Sequence, residues 1–221
     1  SLTVIVLDTA GNSGSITISY VYDSIIPTLS PALPSSSLVI ANTALSFTAD
    51  EPIQSVPATI TFTSSSCSFS TPTVSSGQVF TANLMSCTSQ GAFSLTVSAL
   101  DTAGNVGTRT IDYVYDSISP TLTSSLDANA NVKANTTVSF TADEPIQPTT
   151  VTFDAPGCTF DTPTQSGQVV TSNLTSCTTD GPFLLTVTVL DTAGNSGSKM
   201  INGVYDTTPP ILTPTLAANT E

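Results

Sequence analysis

Residues 100–105, LDTAGN, with VYDS at 114–117, decide how this chain is read. The same pair stands at 7–12 with VYDS at 21–24, and at 190–195 with VYDT at 204–207. Each motif aspartate (Asp8, Asp101, Asp191) precedes the aspartate of its VYD (Asp23, Asp116, Asp206) by fifteen residues. Successive copies are 93 and 90 residues apart. A third string, TADEPIQ, starts at Thr48 and again at Thr141, also 93 apart. Self-similarity at a fixed period marks a tandem array and has to be settled first, because it determines the whole fold. The expected divisions are the end of one repeat at 1–23, complete repeats at 24–116 and 117–206, and the first strand of another at 207–221. On this reading the chain is an excerpt of a longer array.

Each unit is large enough to bury one hydrophobic core. Only 9% of the residues are charged, yet 16 are acidic and 3 are basic (Arg109, Lys133 and Lys199), a net charge of −13. Phosphate binding needs clustered Lys and Arg, so nucleic acid is excluded as a partner. Docking on anionic lipid is excluded on the same ground. Acidic side chains without basic partners attract cations instead. No run approaches twenty apolar residues, so membrane insertion by a helix is not expected in this segment. There is no histidine, no Ser-His-Asp set, no phosphate loop and no zinc-type cluster, and the chain is not expected to be an enzyme. Paired carboxylates can hydrolyse glycosides. Their recurrence in every unit points to a repeated structural role.

Ser, Thr, Val and Ile dominate, in short alternating runs bounded by Gly, Pro, Asn and Asp, which is the pattern of an all-β sandwich. Seven strands are expected in the first complete unit, near 26–30, 43–49, 57–63, 67–73, 78–85, 92–100 and 107–115. The second unit repeats the plan. The fold class is therefore all-β, with tandem seven-stranded immunoglobulin-like sandwiches. The Trp usual in antibody domains is absent, so the likeness is one of architecture.

The four cysteines fall two per unit, Cys67 with Cys87 and Cys158 with Cys177. Matched pairs without His or a CxxC are read as one disulfide per repeat, with free buried cysteines as the alternative. Disulfides imply an oxidising, extracytoplasmic location. The expected strand directions place both cysteines of a unit at one pole of its sandwich. A closed loop of this size stabilises by about 3 kcal/mol on the chain-entropy account.

The acidic residues converge at the other pole. Asp23, Asp50, Glu51 and Asp101 are expected to meet there, and Asn105 can add a carbonyl oxygen. The next set is Asp116, Asp143, Glu144, Asp191 and Asn195. Asp8 and Asn12 are half of a preceding site, and Asp206 is the linker part of a following one. Carboxylates packed together repel unless protonated or neutralised. Ca²⁺ suits them, since it takes 6–8 oxygens from carboxylates, amides and backbone. Such an ion, with ligands from the linker and the next domain, would lock the junction. The other reading is structural: DTAGN as a turn whose Asp bonds its own backbone, with Gly supplying positive φ.

LTVSALDTAGNVG followed by VYDSISP, and TVTVLDTAGNSG followed by VYDTTPP, resemble the bacterial immunoglobulin-like repeats of very large surface adhesins. That resemblance implies extracellular extender modules that project a binding tip, with Ca²⁺ between domains. By motif it assigns the linker role to Asp23, Asp116 and Asp206, and the loop role to Asp8, Asp101 and Asp191. The linkers DSIIP and DSISP keep only the Asp and the final Pro of DTTPP. The cysteines depart from the family pattern and point to export through an oxidising compartment. The expected partners are neighbouring repeats of the same chain. The alternative is a self-assembling filament, sheath or surface layer, in which other copies of the chain are the partners.

Overall fold

Alternation of apolar and polar residues becomes alternation of burial. In β5 (Ala44–Ala49), Leu45, Phe47 and Ala49 turn inward and are at most 2% exposed. In β10 (Gly91–Leu100), Phe93, Leu95, Val97 and Ala99 do the same. A side-chain period of two puts one face of each strand in the core. The computed structural model describes residues 1–55, 59–148 and 150–213. Its elements are all strands, and among the described residues no helix is long and apolar enough to cross a membrane. The chain divides into two compact units, Ser1–Tyr115 and Asp116–Glu221.

The first unit contains a two-sheet sandwich. One sheet runs β3 (Leu29–Pro31), β5, β9 (Val79–Cys87), β7 (Cys67–Phe69), with β8 (Thr73–Ser76) also on β9. The other runs β4 (Leu38–Val39), β11 (Val106–Tyr115), β10, β6 (Ile60–Thr63). Neighbours are antiparallel except β4, which lies parallel to β11. With β7 and β8 read as one interrupted strand, this is the immunoglobulin arrangement of strands, the first strand being shared between the sheets. Leu29, Phe47, Phe80, Leu95, Val97 and Tyr113 are among the core residues between them.

The second unit repeats the sandwich. Its sheets are β12 (Leu122–Ser124), β14 (Thr137–Ala142), β18 (Val169–Cys177), β16 (Cys158–Phe160) with β17 (Thr164–Ser166) on β18, and β13 (Ala130–Val132), β20 (Ser196–Tyr205), β19 (Gly181–Leu190), β15 (Thr152–Asp154).

Two details differ from the sequence reading. The first strand is split into β3 and β4, on different sheets, and the fourth into β7 and β8. In the first unit prolines sit at both breaks, Pro34 before β4 and Pro72 before β8; in the second, Pro163 precedes β17, and no proline stands between β12 and β13. Proline lacks the N–H a ladder requires. The third strand opens at Ile60; residues 57 and 58 of the expected span lie outside those described. No strand is found at 207–213, and 214–221 also lie outside the described residues.

The first unit also carries a hairpin, β1 (Leu2–Leu7) and β2 (Ser13–Ile18). Its register, Leu2 opposite Ile18 and Leu7 opposite Ser13, reproduces that of β10 and β11. Leu2 and Ile18 correspond by repeat spacing to Leu95 and Ile111. The hairpin pair are 53% and 40% exposed where the core pair are 0% and 6%. The strands LTVIVL and LTVSAL thus share a register and differ in burial.

All four cysteines are bonded, Cys67 to Cys87 and Cys158 to Cys177. Each bond joins directly opposed residues of neighbouring strands. The Thr88 N–H to Ser66 carbonyl bond lies beside the first pair, and Thr178 to Gly157 beside the second. The cysteines thus occupy non-hydrogen-bonded positions, where opposed side chains are closest. Cys87 ends β9, whereas the start of β9 lies against the TADEPIQ segment through Ala49 N to Gln78 O and Ile53 N to Gly77 O. The disulfide and the acidic segment are at opposite ends of the nine-residue strand.

Candidate metal centre

The LDTAGN loop is built around its aspartate. Asp101 is 1% exposed, and its Oδ1 accepts the backbone N–H groups of Ala103 (2.8 Å), Gly104 (2.6 Å) and Asn105 (2.8 Å). Gly104 has φ +98°, a conformation open to glycine and strained for other residues. The Asn105 amide donates to Asp101 Oδ2 at 2.7 Å and to the Asp23 carbonyl at 3.3 Å. Asp191 repeats this with Gly194 N (2.6 Å), Asn195 N (2.9 Å) and Asn195 Nδ2 (2.8 Å), and Asn195 reaches the Asp116 carbonyl at 3.2 Å. One carboxylate oxygen thus makes the backbone turn, and the other accepts the asparagine side chain that ties the loop to the linker.

The TADEPIQ string is stitched to the same place. Ile53 bridges Asp101, and Gln54 N donates to the Leu100 carbonyl at 2.9 Å. Ile146 bridges Asp191, and Gln147 N donates to the Leu190 carbonyl at 2.8 Å. Buried Ile53 and Ile146 anchor the segment, and this brings Glu51 and Glu144 beside the loop. Carboxylate oxygens of Asp23, Glu51 and Asp101 lie within 4.8 Å of one another, as do those of Asp116, Glu144 and Asp191. Each group lies inside one compact unit.

The remaining residues of the expected sets are elsewhere or act differently. Asp50 accepts the Thr28 N–H at 2.7 Å, and Asp143 accepts the Thr121 N–H at 2.8 Å and hydroxyl at 2.6 Å. They tether the start of the first strand and lie outside both three-carboxylate groups. Asn105 and Asn195 act as donors that tie loop to linker. Asp8 makes the same loop bonds, from Ala10 N, Asn12 N and Asn12 Nδ2, each at 2.8 Å, but is exposed. Asp206 is exposed as well and accepts the Thr208 N–H at 2.9 Å. A contact not foreseen is Asp180, which accepts the Thr207 hydroxyl at 2.8 Å and its N–H at 3.2 Å. Its only sequence signal is the TT of DTTPP, hydroxyls that the DSI linkers provide once.

The charges in the cluster are felt by its members. Burial, then the charges of Asp23, Asp101 and Asp50, hold the Glu51 carboxyl above its ordinary 4.5. Burial, then Asp116, Asp191 and Asp143, do the same to Glu144. Burial also pushes Asp101 up, but the Asn105 side chain and the N–H groups of Asn105, Gly104 and Ala103 outweigh it and leave the carboxyl below 3.8. The Thr28 N–H lowers Asp50, and the Thr121 hydroxyl and N–H lower Asp143. Glutamates with raised values bind protons more tightly folded than unfolded, so stability grows as pH falls toward 4.5. Aspartates with lowered values contribute stability above 3.8 that is lost below it. In EDTA, the thermal midpoint should therefore rise from pH 7 to about 4.5 and fall below about 3.8. A midpoint that declines steadily from pH 7 would show that the glutamates are not repelled.

The donor set fits a hard cation. It consists of oxygens alone, with no His or Cys, as Ca²⁺ and Mg²⁺ prefer and Zn²⁺ does not. Each of the three carboxylates offers one oxygen, and backbone carbonyls or water can complete a Ca²⁺ shell.

No protein-family model matches the chain, and no curated protein does. Among solved structures it is similar to the fibronectin(III)-like modules of Clostridium thermocellum CbhA, at 14% identity over 80% of this chain and 94% of that one, with a TM-score of 0.44. It is similar to the Yersinia pseudotuberculosis adhesin InvE at 18% identity over 81% of this chain and 58% of that one, with a TM-score of 0.32. It is also similar to the N-terminal part of the bacterial S-layer protein SbsC, at 16% identity over 81% and 44%, with a TM-score of 0.33.

Proposed function

We propose that this chain is a repeat segment of an extracellular structural stalk, of the kind that extends a bacterial surface adhesin, and that Ca²⁺ stiffens it. The observation that carries the reading is the pair of three-carboxylate groups, Asp23–Glu51–Asp101 and Asp116–Glu144–Asp191, at the same place in both units. Each draws one residue from the linker, one from TADEPIQ and one from LDTAGN. That is why these three strings recur together. An ion on Asp116 would fix the stretch following Tyr115 to the sandwich that holds Glu144 and Asp191, and Asp23 would be fixed in the same way. The work of such a site is mechanical: it removes rotational freedom from the segment between repeats.

The disulfides support an oxidising compartment. The excess of negative charge supports attraction of divalent cations to the sites. Calorimetric titration with Ca²⁺ tests the proposal. Two sites per chain are expected, the first lost in Asp101→Asn and the second in Asp191→Asn. Absence of binding at millimolar Ca²⁺, or two sites persisting in both variants, would sink it.

A further inference from the structure

The last glycine of the extended motif DTAGNxG is held by no conformational need. Gly107 and Gly197 have no positive φ. What they lack is room. A Cβ on Gly107 would stand 2.1 Å from the Pro27 carbonyl oxygen and 2.8 Å from its Cγ. On Gly197 it would stand 2.0 Å from the Pro120 oxygen and 2.8 Å from that Cγ. Real Cβ atoms do not approach backbone so closely, and a backbone carbonyl cannot swing aside as a side-chain tip can.

Pro27 and Pro120 are buried and end the linkers DSIIP and DSISP, four residues after Asp23 and Asp116. The loop therefore touches its linker at both ends. At one end Asn105 holds the Asp23 carbonyl; at the other Gly107 admits the Pro27 carbonyl. Asn195 and Gly197 hold Asp116 and Pro120 likewise. The geometry points to Gly107 and Gly197 as positioning residues for the cation site: by letting the linker proline seat against the strand, they set Asp23 and Asp116 at the height of the other two carboxylates. This rests on the cation reading for its ligand, while the seating of the linker stands on the contacts alone.

The test is Gly107→Ala and Gly197→Ala, made separately so that each unit serves as control for the other. Calorimetry with Ca²⁺ should show the site of the altered unit weakened about 10–100-fold, the usual cost of losing a group that orients a ligand, with the other site unchanged. Hydrogen exchange in EDTA should show faster exchange at the Thr28 amide in Gly107→Ala and at the Thr121 amide in Gly197→Ala. These amides are bonded to Asp50 and Asp143 just beyond the seated prolines. Protection across β10–β11 and β19–β20 should persist. Unchanged Ca²⁺ affinity together with unchanged Thr28 and Thr121 exchange overturns the inference. So does loss of sandwich protection in both variants, which would make the glycines part of the core. If the unaltered chain binds no Ca²⁺, the cation reading fails, and the exchange comparison still decides whether the glycines seat the linker.

Discussion

In Ca²⁺ at a hundredfold excess over its dissociation constant, the thermal midpoint is expected to lie about 10 °C or more above that in EDTA. A ligand that binds only the folded state contributes about 2.7 kcal/mol at that saturation. A domain of this size shifts by about 4–8 °C for each kcal/mol. Two features make the whole of that linkage available here. The ligand oxygens come from three separated strings, which an unfolded chain cannot hold together. Burial, and then the neighbouring aspartate charges, also hold the Glu51 and Glu144 carboxyls above their ordinary range, which a bound cation would relieve. Mg²⁺ should do less, because it requires near-octahedral geometry and gives up water reluctantly. Scans in calcium and EDTA at pH 7 check the expectation. Superimposed curves would mean that the aspartates serve only their turns.

Phe47→Ala should be the most damaging single change in the first sandwich, costing about 3–5 kcal/mol. Phe47 is fully buried and lies at the meeting of three rings. It stacks on Phe80 at 6.0 Å between centroids and meets Phe62 edge-on at 5.6 Å, while Phe62 and Phe80 are themselves edge-on at 6.0 Å. Truncation forfeits its transfer energy and leaves a void bordered by rings that cannot collapse without losing their own contacts. Since domains are stable by about 5–15 kcal/mol, that is a large share of the whole. The second unit has a separate core, in which Phe140 takes the equivalent place and Val170 stands where Phe80 does. Urea unfolding followed by hydrogen exchange should show the first unit opening at lower denaturant and the second at its original midpoint. A shift of both together would mean that the two cores unfold as one.

Most of the sandwich could be read before any coordinates. The runs at Ala44–Ala49 and Gly91–Leu100 alternate over most of their length, and periodicity of two is a local signal. What escaped is non-local or punctuated. The two-residue β4 exists because it lies parallel to Val114 and Tyr115, some 75 positions away, and no string of neighbours announces it. The break between β7 and β8 had a visible sign in Pro72 that a single expected strand overrode.

The carboxylate cluster was legible as a set of recurring strings and only partly as residues. Asp50 and Glu51 are adjacent, so the chain must send their side chains in different directions. Which one faces the loop depends on Thr28, whose N–H takes the Asp50 carboxylate. Asn105 was expected to offer an oxygen. The carbonyl of Asp23 and the carboxylate of Asp101 both present acceptors to it, and the amide turns its N–H₂ toward them. The cysteine pairing followed from matched spacing alone, since each repeat has only two.

The position of those disulfides has a consequence when the chain is pulled by its ends. Each bond closes a loop of 20 or 19 positions between neighbouring strands. At roughly 3.3–3.6 Å per extended residue, each loop withholds about 65 Å of contour. A ruptured sandwich therefore pays out less slack than its residue count allows, and its tethered strands start refolding from a shorter chain. Reducing agent would return that length. In the proposed stalk, two cysteines at the end of one β-ladder would make the recoil of a stretched repeat depend on its redox environment.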